Sequence, residues 1–244
     1  LKSINLDIIN RVKKDILTLQ GFKTLPADNT VRIGIPTIEA NFPNAVFPTG
    51  CMHEFISQTI EDAAATNAFV AALSGRLMQF GGACAWISAT RTLFPSALKR
   101  FGLEPHQIIF IDLQKEKEVL FAMEEALKCN RLTTVIAEVK DVDFKMSRRF
   151  QLATEKSRVT GFILRHQPRT ANTIACVSRW RISSIASEPQ AGMPGVGFPR
   201  WNVALQKVRN GIPGNWQIEW AGNSFADVTK QDSKIISMPL LKVG

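Results

Sequence analysis

Residues 52–57 read MHEFIS, residues 60–78 read IEDAAATNAFVAALSGRLM, and residues 83–88 read ACAWIS. The two hexapeptides are apolar runs of strand length, while the Ala-rich stretch between them is too long for a strand and has the composition of a helix. Strand, helix, strand is the repeating unit of a parallel sheet, because parallel neighbours need a crossover. Downstream, residues 95–101 predict a short helix, 107–112 (QIIFID) a strand, 116–130 a helix, 133–139 a strand, 147–156 a helix and 160–164 a strand. Short apolar strands alternating with helices predict an α/β fold with helices on both faces of the sheet.

Beyond this core the pattern changes. Residues 173–182 (TIACVSRWRI), 200–208 (RWNVALQKV) and 216–220 (WQIEW) alternate apolar with polar residues, and no helix separates them. They read as antiparallel strands added at one edge, which makes the sheet mixed. Residues 187–197, with three Gly and two Pro, read as a loop. At the other end, residues 4–20 predict an amphipathic helix. Ile9, Val12, Ile16 and Leu19 form its apolar stripe, and Gly21 stops it. The stretch that follows, rich in Pro and Asn, reads as a linker into the core. The expected division is 1–29 for the N-terminal helix and linker, 30–225 for the core domain and 226–244 for a tail that forms a last strand or docks elsewhere. The apolar stripe needs cover, either from the chain's own core or from a second copy or partner.

The 244 residues are 45% hydrophobic and 21% charged, an ordinary balance for a soluble domain. The longest apolar stretch, 63–90, is interrupted by Arg76, so no membrane span is expected. The first residues carry Lys2, Asp7, Arg11, Lys13 and Lys14 where a secretory signal needs an apolar run. The cysteines, 51, 84, 129 and 176, form no close pair, and the histidines, 53, 106 and 166, no metal-binding spacing. A reducing, cytoplasmic setting with no metal and no cofactor is the expectation.

Charge is unevenly placed. Between Lys145 and Arg209 lie twelve basic residues, opposed only by Glu155 and Glu188, in a chain whose net charge is +9. A concentrated basic half suits a polyanion, although solvated strand and helix faces would give the same count.

An α/β order invites a search for a phosphate loop at the turn from the first strand into the first core helix. That turn needs glycines to let backbone N–H groups wrap phosphate, a Lys for the terminal phosphates, and a Ser or Thr for Mg²⁺. Residues 57–67 read SQTIEDAAATN, with no Gly and no Lys. They hold instead Glu61 and Asp62, which suit a helix N-terminus but repel a triphosphate. Glu138, near the end of the fourth strand, is the one acid placed where Mg²⁺ could be held; a lone Glu there reads more simply as a capping or exposed residue.

The stretch 47–57 (FPTGCMHEFIS) resembles the approach to the first core strand of RecA-like proteins. Further matches follow in order: 146–156 (MSRRFQLATEK), the strand GFILR ending at Arg165, 178–181 (SRWR), 195–201 (GVGFPRW), 207–211 (KVRNG) and 213–220 (PGNWQIEW). Each is weak alone. As an ordered set over roughly residues 30–225, they resemble the ImuA family, the RecA/SulA-like component of bacterial damage-induced mutagenesis cassettes. The resemblance implies a RecA-like mixed sheet flanked by helices, with central parallel and C-terminal antiparallel strands. It implies a non-enzymatic accessory protein of error-prone translesion DNA synthesis in the SOS response. The implied partners are an ImuB-like polymerase homologue and an error-prone replicative-type polymerase, with RecA, single-stranded DNA and a second copy of the chain as further candidates. Two rivals stand beside it: a SulA-like inhibitor of cell division and a divergent RecA-like DNA-dependent ATPase.

In RecA-like proteins two loops at the strand ends face single-stranded DNA. The matching stretches, 140–147 and 165–172, nominate Lys140, Lys145, Arg148, Arg149, Arg165 and Arg169, while Arg179 and Arg181 share one face of a later strand. The second loop is shorter than RecA's. Trp180, Trp201, Trp216 and Trp220 could stack bases, but at strand positions they read as core. His53 next to Glu54 has no nucleophile elbow near it and reads as structural.

Overall fold

Every residue of strand β1 (Met52–Ser57) is buried, as expected for a strand in the middle of a sheet covered on both faces. The computed structural model describes residues 32–90, 93–170, 172–189 and 195–229. The helix expected over 4–20, with Ile9, Val12, Ile16 and Leu19, lies outside the described residues, as does the stretch from 230 onward.

Five further elements follow the expected alternation: helix α2 (Ile60–Leu77), β2 (Ala83–Ser88), a short helix α3 (Pro95–Leu98) with a 3₁₀ turn, β3 (Ile108–Asp112) and α4 (Glu116–Leu127). Then come β4 (Leu132–Val139), α5 (Phe144–Ser157) and β5 (Thr160–His166), and after them β6 (Ser178–Ile185), β7 (Arg200–Val208), β8 (Gly214–Ala221) and β9 (Ser224–Asp227). Among the described residues nine strands form one sheet in the order β3-β2-β4-β5-β1-β6-β7-β8-β9. Caps fix the helix starts: Thr59 accepts from the Asp62 N–H, and Asp143 from the Met146 N–H. β9 straddles the expected boundary at 225/226, and pairs antiparallel with β8.

One expectation is corrected. Residues 173–182 read as an antiparallel strand, yet β6 runs parallel to β1 and antiparallel only to β7. The chain returns along the sheet between β5 and β6 with no helix among the described residues 167–170 and 172–177, and Ile174 and Cys176 pack into the core of the face that α4 and α5 cover. Alternation reports that one face is less covered; it does not report strand direction. Residues 32–50 lie inside the expected core domain, and despite the Pro and Asn punctuation that reads as a lead-in to it, Ile33, Ile35, Ile38, Phe42 and Phe47 are all buried in the main core. The punctuation belongs to a one-turn helix α1 (Pro36–Glu39) and a 3₁₀ turn at Pro43–Ala45.

The layers are three. On one face α2 packs against β6, β1 and β5, and its many Ala residues let it approach closely. This side holds an aromatic core in which Phe55 stacks on Trp180 (centroids 5.9 Å apart, planes 9° apart) and Phe47 on His53. Gly75 of α2 lets the Phe101–Gly102 turn approach the helix: a Cβ there would lie 2.5 Å from the Gly102 carbonyl oxygen. On the other face α4 and α5 cover Met52, Val135, Ala137 and Ile163. Trp180, Trp201 and Trp220 are buried, as their strand positions suggested, and Trp216 is partly so.

Candidate functional site

In open parallel sheets, ligands bind where the strands end at their carboxyl ends, because the loops converge there. In this chain that edge carries the turn after β1, the loop after β4 and the segment after β5.

The turn after β1 consists of Gln58 and Thr59 alone. The Thr59 hydroxyl accepts the Asp62 N–H at 3.1 Å, and Ser57 Oγ lies 2.9 Å from Thr66 Oγ1. The backbone donors that would wrap a phosphate are thus partly taken by a side-chain cap, and the residues that would lengthen the turn are missing. The carboxyl of exposed Glu61 is held below its usual range by hydrogen bonds from its own N–H and from Thr59. Asp62 is ion-paired with Arg181 at 3.4 Å. Glu138 is buried rather than exposed or capping. Its Oε1 accepts the Trp86 indole N–H at 2.6 Å, and its Oε2 lies 3.6 Å from His166 Nε2.

The two basic loops are organised from inside the sheet. Glu54, in the middle of β1, lies between β5 and β6 and is 0% exposed. Its Oε1 accepts from Arg165 Nη1 at 2.8 Å and its Oε2 from Arg179 Nε at 2.6 Å. Arg165, also 0% exposed, donates onward to the Thr170 carbonyl (2.8 Å) and the Lys140 carbonyl (3.4 Å). Arg179 donates to the Asn172 carbonyl, and the Asn172 side-chain amide to the Val142 carbonyl, each at 2.8 Å. The Arg169 N–H donates to Asp141 at 3.2 Å. One buried carboxylate and two guanidinium groups therefore tie both loops to the sheet.

This placement corrects part of the basic set. Arg165 and Arg179 were both nominated as DNA contacts; their strands are separated by β1, and their guanidinium groups are spent on Glu54 and loop carbonyls. Arg149 is held by Glu124 at 2.6 Å on the helix-covered face. Lys140, Lys145, Arg148 and Arg169 are exposed on the two loops and the start of α5. Arg148 donates to Gln151 at 2.7 Å, and Arg169 is 3.9 Å from Asp141. Arg181 is half exposed but paired to Asp62. Sequence reasoning missed Glu54 as the hub. The available signal was a Glu inside a central strand expected to be buried on both faces, which demands a buried cationic partner.

Cys51 and His53 also meet: Sγ lies 3.4 Å from Nε2. Burial pushes the Cys51 thiol up to about 12 and the His53 imidazole down to about 4. The thiol is therefore not ionised by its neighbour, and the pair lacks the activated nucleophile that covalent catalysis needs. Cys84 and Cys176 are buried and Cys129 is exposed. Among the described residues no group of three His, Cys, Asp or Glu is placed to hold a metal ion, and no helix is long and apolar enough to cross a membrane.

The architecture is that of a RecA-like domain. A RadB recombinase superposes with a TM-score of 0.56 at 13% identity, over 81% of this chain and 99% of its own. A KaiC-like protein from the archaeon Pyrococcus horikoshii gives a TM-score of 0.54 at 12% identity, over 82% and 98%. No family model matches the chain. Protein ImuA from each of two strains of Caulobacter vibrioides is 34% identical over 198 residues, 76% of this chain and 81% of that protein. The chain belongs to the ImuA family.

Proposed function

We propose that this chain is a non-catalytic RecA-like accessory protein of an error-prone translesion synthesis complex, working without ATP. The observation that carries this reading is the Gln58–Thr59 turn: no Gly, no Lys, a Thr cap on the Asp62 N–H and two carboxylates at the helix start. A RecA-like sheet with that turn keeps its carboxyl-edge loops and forgoes phosphate wrapping. Kinship to ImuA supplies the setting, in which an ImuB-like polymerase homologue and an error-prone replicative-type polymerase are the partners, with RecA and a second copy as further ones. The cytoplasm is its place of action. Titration calorimetry with MgATP is expected to show no saturable binding. Micromolar binding that disappears on substitution within residues 57–67 would overturn the reading and favour the divergent ATPase.

The exposed loop cations support a second property, weak binding to single-stranded DNA through Lys140, Lys145, Arg148 and Arg169. Each phosphate neutralised contributes about −0.7 to the log–log salt slope on single strands. The triple variant Lys145→Ala, Arg148→Ala, Arg169→Ala is therefore expected to bind oligothymidylate more weakly and to flatten that slope by about 2. An unchanged affinity and slope would place the DNA contact elsewhere or nowhere.

A further inference from the structure

The amino edge of the sheet, opposite the loops after β4 and β5, carries the cations that the protein leaves unpaired. Of the twelve basic residues between Lys145 and Arg209, Arg149, Arg165, Arg169, Arg179, Arg181 and Arg200 each have a carboxylate within 4 Å. Four of the other six, Lys156, Arg158, Lys207 and Arg209, lie where α5 and β7 end and β5 begins, all at the amino edge. Arg131, just before β4, joins them. It is exposed, and among the described residues no carboxylate pairs with it, with Arg158 or with Arg209.

Two of these guanidinium groups flank the start of β1. Arg158, the left-handed C-cap of α5, packs against Gly50: a Cβ on Gly50 would lie 3.3 Å from Arg158 Cα and 3.4 Å from its Cδ. The Arg209 N–H donates to the Val177 carbonyl, and the Val177 N–H to the Met52 carbonyl, each at 2.8 Å. Both side chains act electrostatically on the Cys51 thiol, Arg158 from the β5 side of β1 and Arg209 from the β6 side. Burial keeps that thiol neutral, so no anion interrupts the row. Beyond β5 the row continues through β4 to β2. Leu132, which follows Arg131, pairs with Ala83 at the start of β2. The turn into β2 seats Gly82 against the Thr133 side chain and holds out Phe80, 85% exposed. From β2 to β6 is four strand spacings, about 19 Å.

We infer that this edge binds single-stranded nucleic acid, with phosphates on Arg131, Arg158 and Arg209 and a base stacked on Phe80. Cations that track a backbone, together with an exposed aromatic ring, are what a single strand takes up irrespective of its sequence. A duplex keeps its base faces stacked and gains nothing from Phe80. An acidic protein segment needs an apolar anchor at the centre of its contact. The centre here is Cys51 between two guanidinium groups, and the aromatic ring stands at one end. The inference does not rest on the loops after β4 and β5.

Fluorescence anisotropy with labelled oligothymidylate at about 50 mM salt tests it. The protein is the full chain carrying Lys145→Ala, Arg148→Ala and Arg169→Ala, which removes the loop cations. Saturable binding is expected to remain. Adding Arg131→Gln, Arg158→Gln and Arg209→Gln is expected to weaken it at least about tenfold and to flatten the log–log salt slope by about 2. Phe80→Ala is expected to weaken it about tenfold with the slope unchanged, because stacking is lost and no charge is. Should the arginine substitutions lower the melting temperature, Arg131→Gln and Phe80→Ala, on exposed side chains, decide alone. Loss of all saturable binding in the loop variant, an affinity unaltered by the amino-edge substitutions, or a duplex of the same length bound as tightly would overturn the inference. Oligoglutamate bound at least as tightly, and weakened by the same arginine substitutions, would also overturn it and assign the edge to an acidic protein.

Discussion

Glu54→Gln is expected to destabilise the chain by about 3–5 kcal/mol, the cost of leaving a buried charge without its counterion. The substitution keeps the side chain's shape and removes only the negative charge between Arg165 and Arg179. Arg179, 16% exposed, can regain some water; Arg165, 0% exposed, cannot. Asp141, 3.5 Å from Arg165 and 37% exposed, offers only a screened replacement. The double variant Glu54→Gln, Arg165→Met is expected to recover much of the loss, since replacing a buried pair by apolar volume is often close to neutral. It will not recover the loop bonds, because Met cannot donate to the carbonyls of Lys140 and Thr170. Urea denaturation should therefore show a large shift for the single variant and a partial return for the double one. Hydrogen exchange should stay faster at 140–143 and 169–175 in both. A single-variant cost below about 1 kcal/mol would mean that the triad is not the clamp described above.

The same triad shows what was and was not legible in the residues alone. The alternation of MHEFIS, the Ala-rich helix and ACAWIS was enough for the α/β class, because each element's period and length are local properties. The direction of β6 was not legible: direction depends on how residues 167–177 cross the sheet, and alternating polarity is the same for either sense. The basic loops were correctly seen as basic. Arg165 was misplaced because a guanidinium on a strand end looks alike whether it points to solvent or inward to Glu54, more than a hundred residues earlier in the chain. The turn at Gln58–Thr59 was legible for the converse reason. A phosphate loop is a contiguous stretch, so its missing residues are visible without any tertiary information.

His53 should make the protein acid-sensitive in a window above the usual carboxylate range. The hydrogen-bond partners fix the neutral tautomer. The Trp180 indole N–H donates to Ser178 Oγ at 2.7 Å, the Ser178 hydroxyl donates to His53 Nδ1 at 2.6 Å, and His53 Nε2–H donates to the Pro48 carbonyl at 2.9 Å. A proton on Nδ1 would oppose the Ser178 hydroxyl in a site that water does not reach, with Phe47 stacked on the ring at 4.5 Å. Burial accordingly lowers the imidazole from 6.5 to about 4, the Pro48 contact offsetting only part of it. With the folded value depressed, the unfolded chain binds the extra proton between these limits. The stabilisation from the neutral imidazole is complete above about pH 6.5 and falls away as pH drops toward 4. At about 1.4 kcal/mol per unit, the loss between pH 7 and pH 4 amounts to about 3 kcal/mol. Chemical denaturation across this range is expected to give a limb about that much steeper in the parent chain than in His53→Asn, which lacks the titrating group even if it is less stable at every pH. Identical acid limbs in the two proteins would show that the ring titrates as an ordinary histidine and that the Ser178 and Pro48 contacts do not hold it neutral.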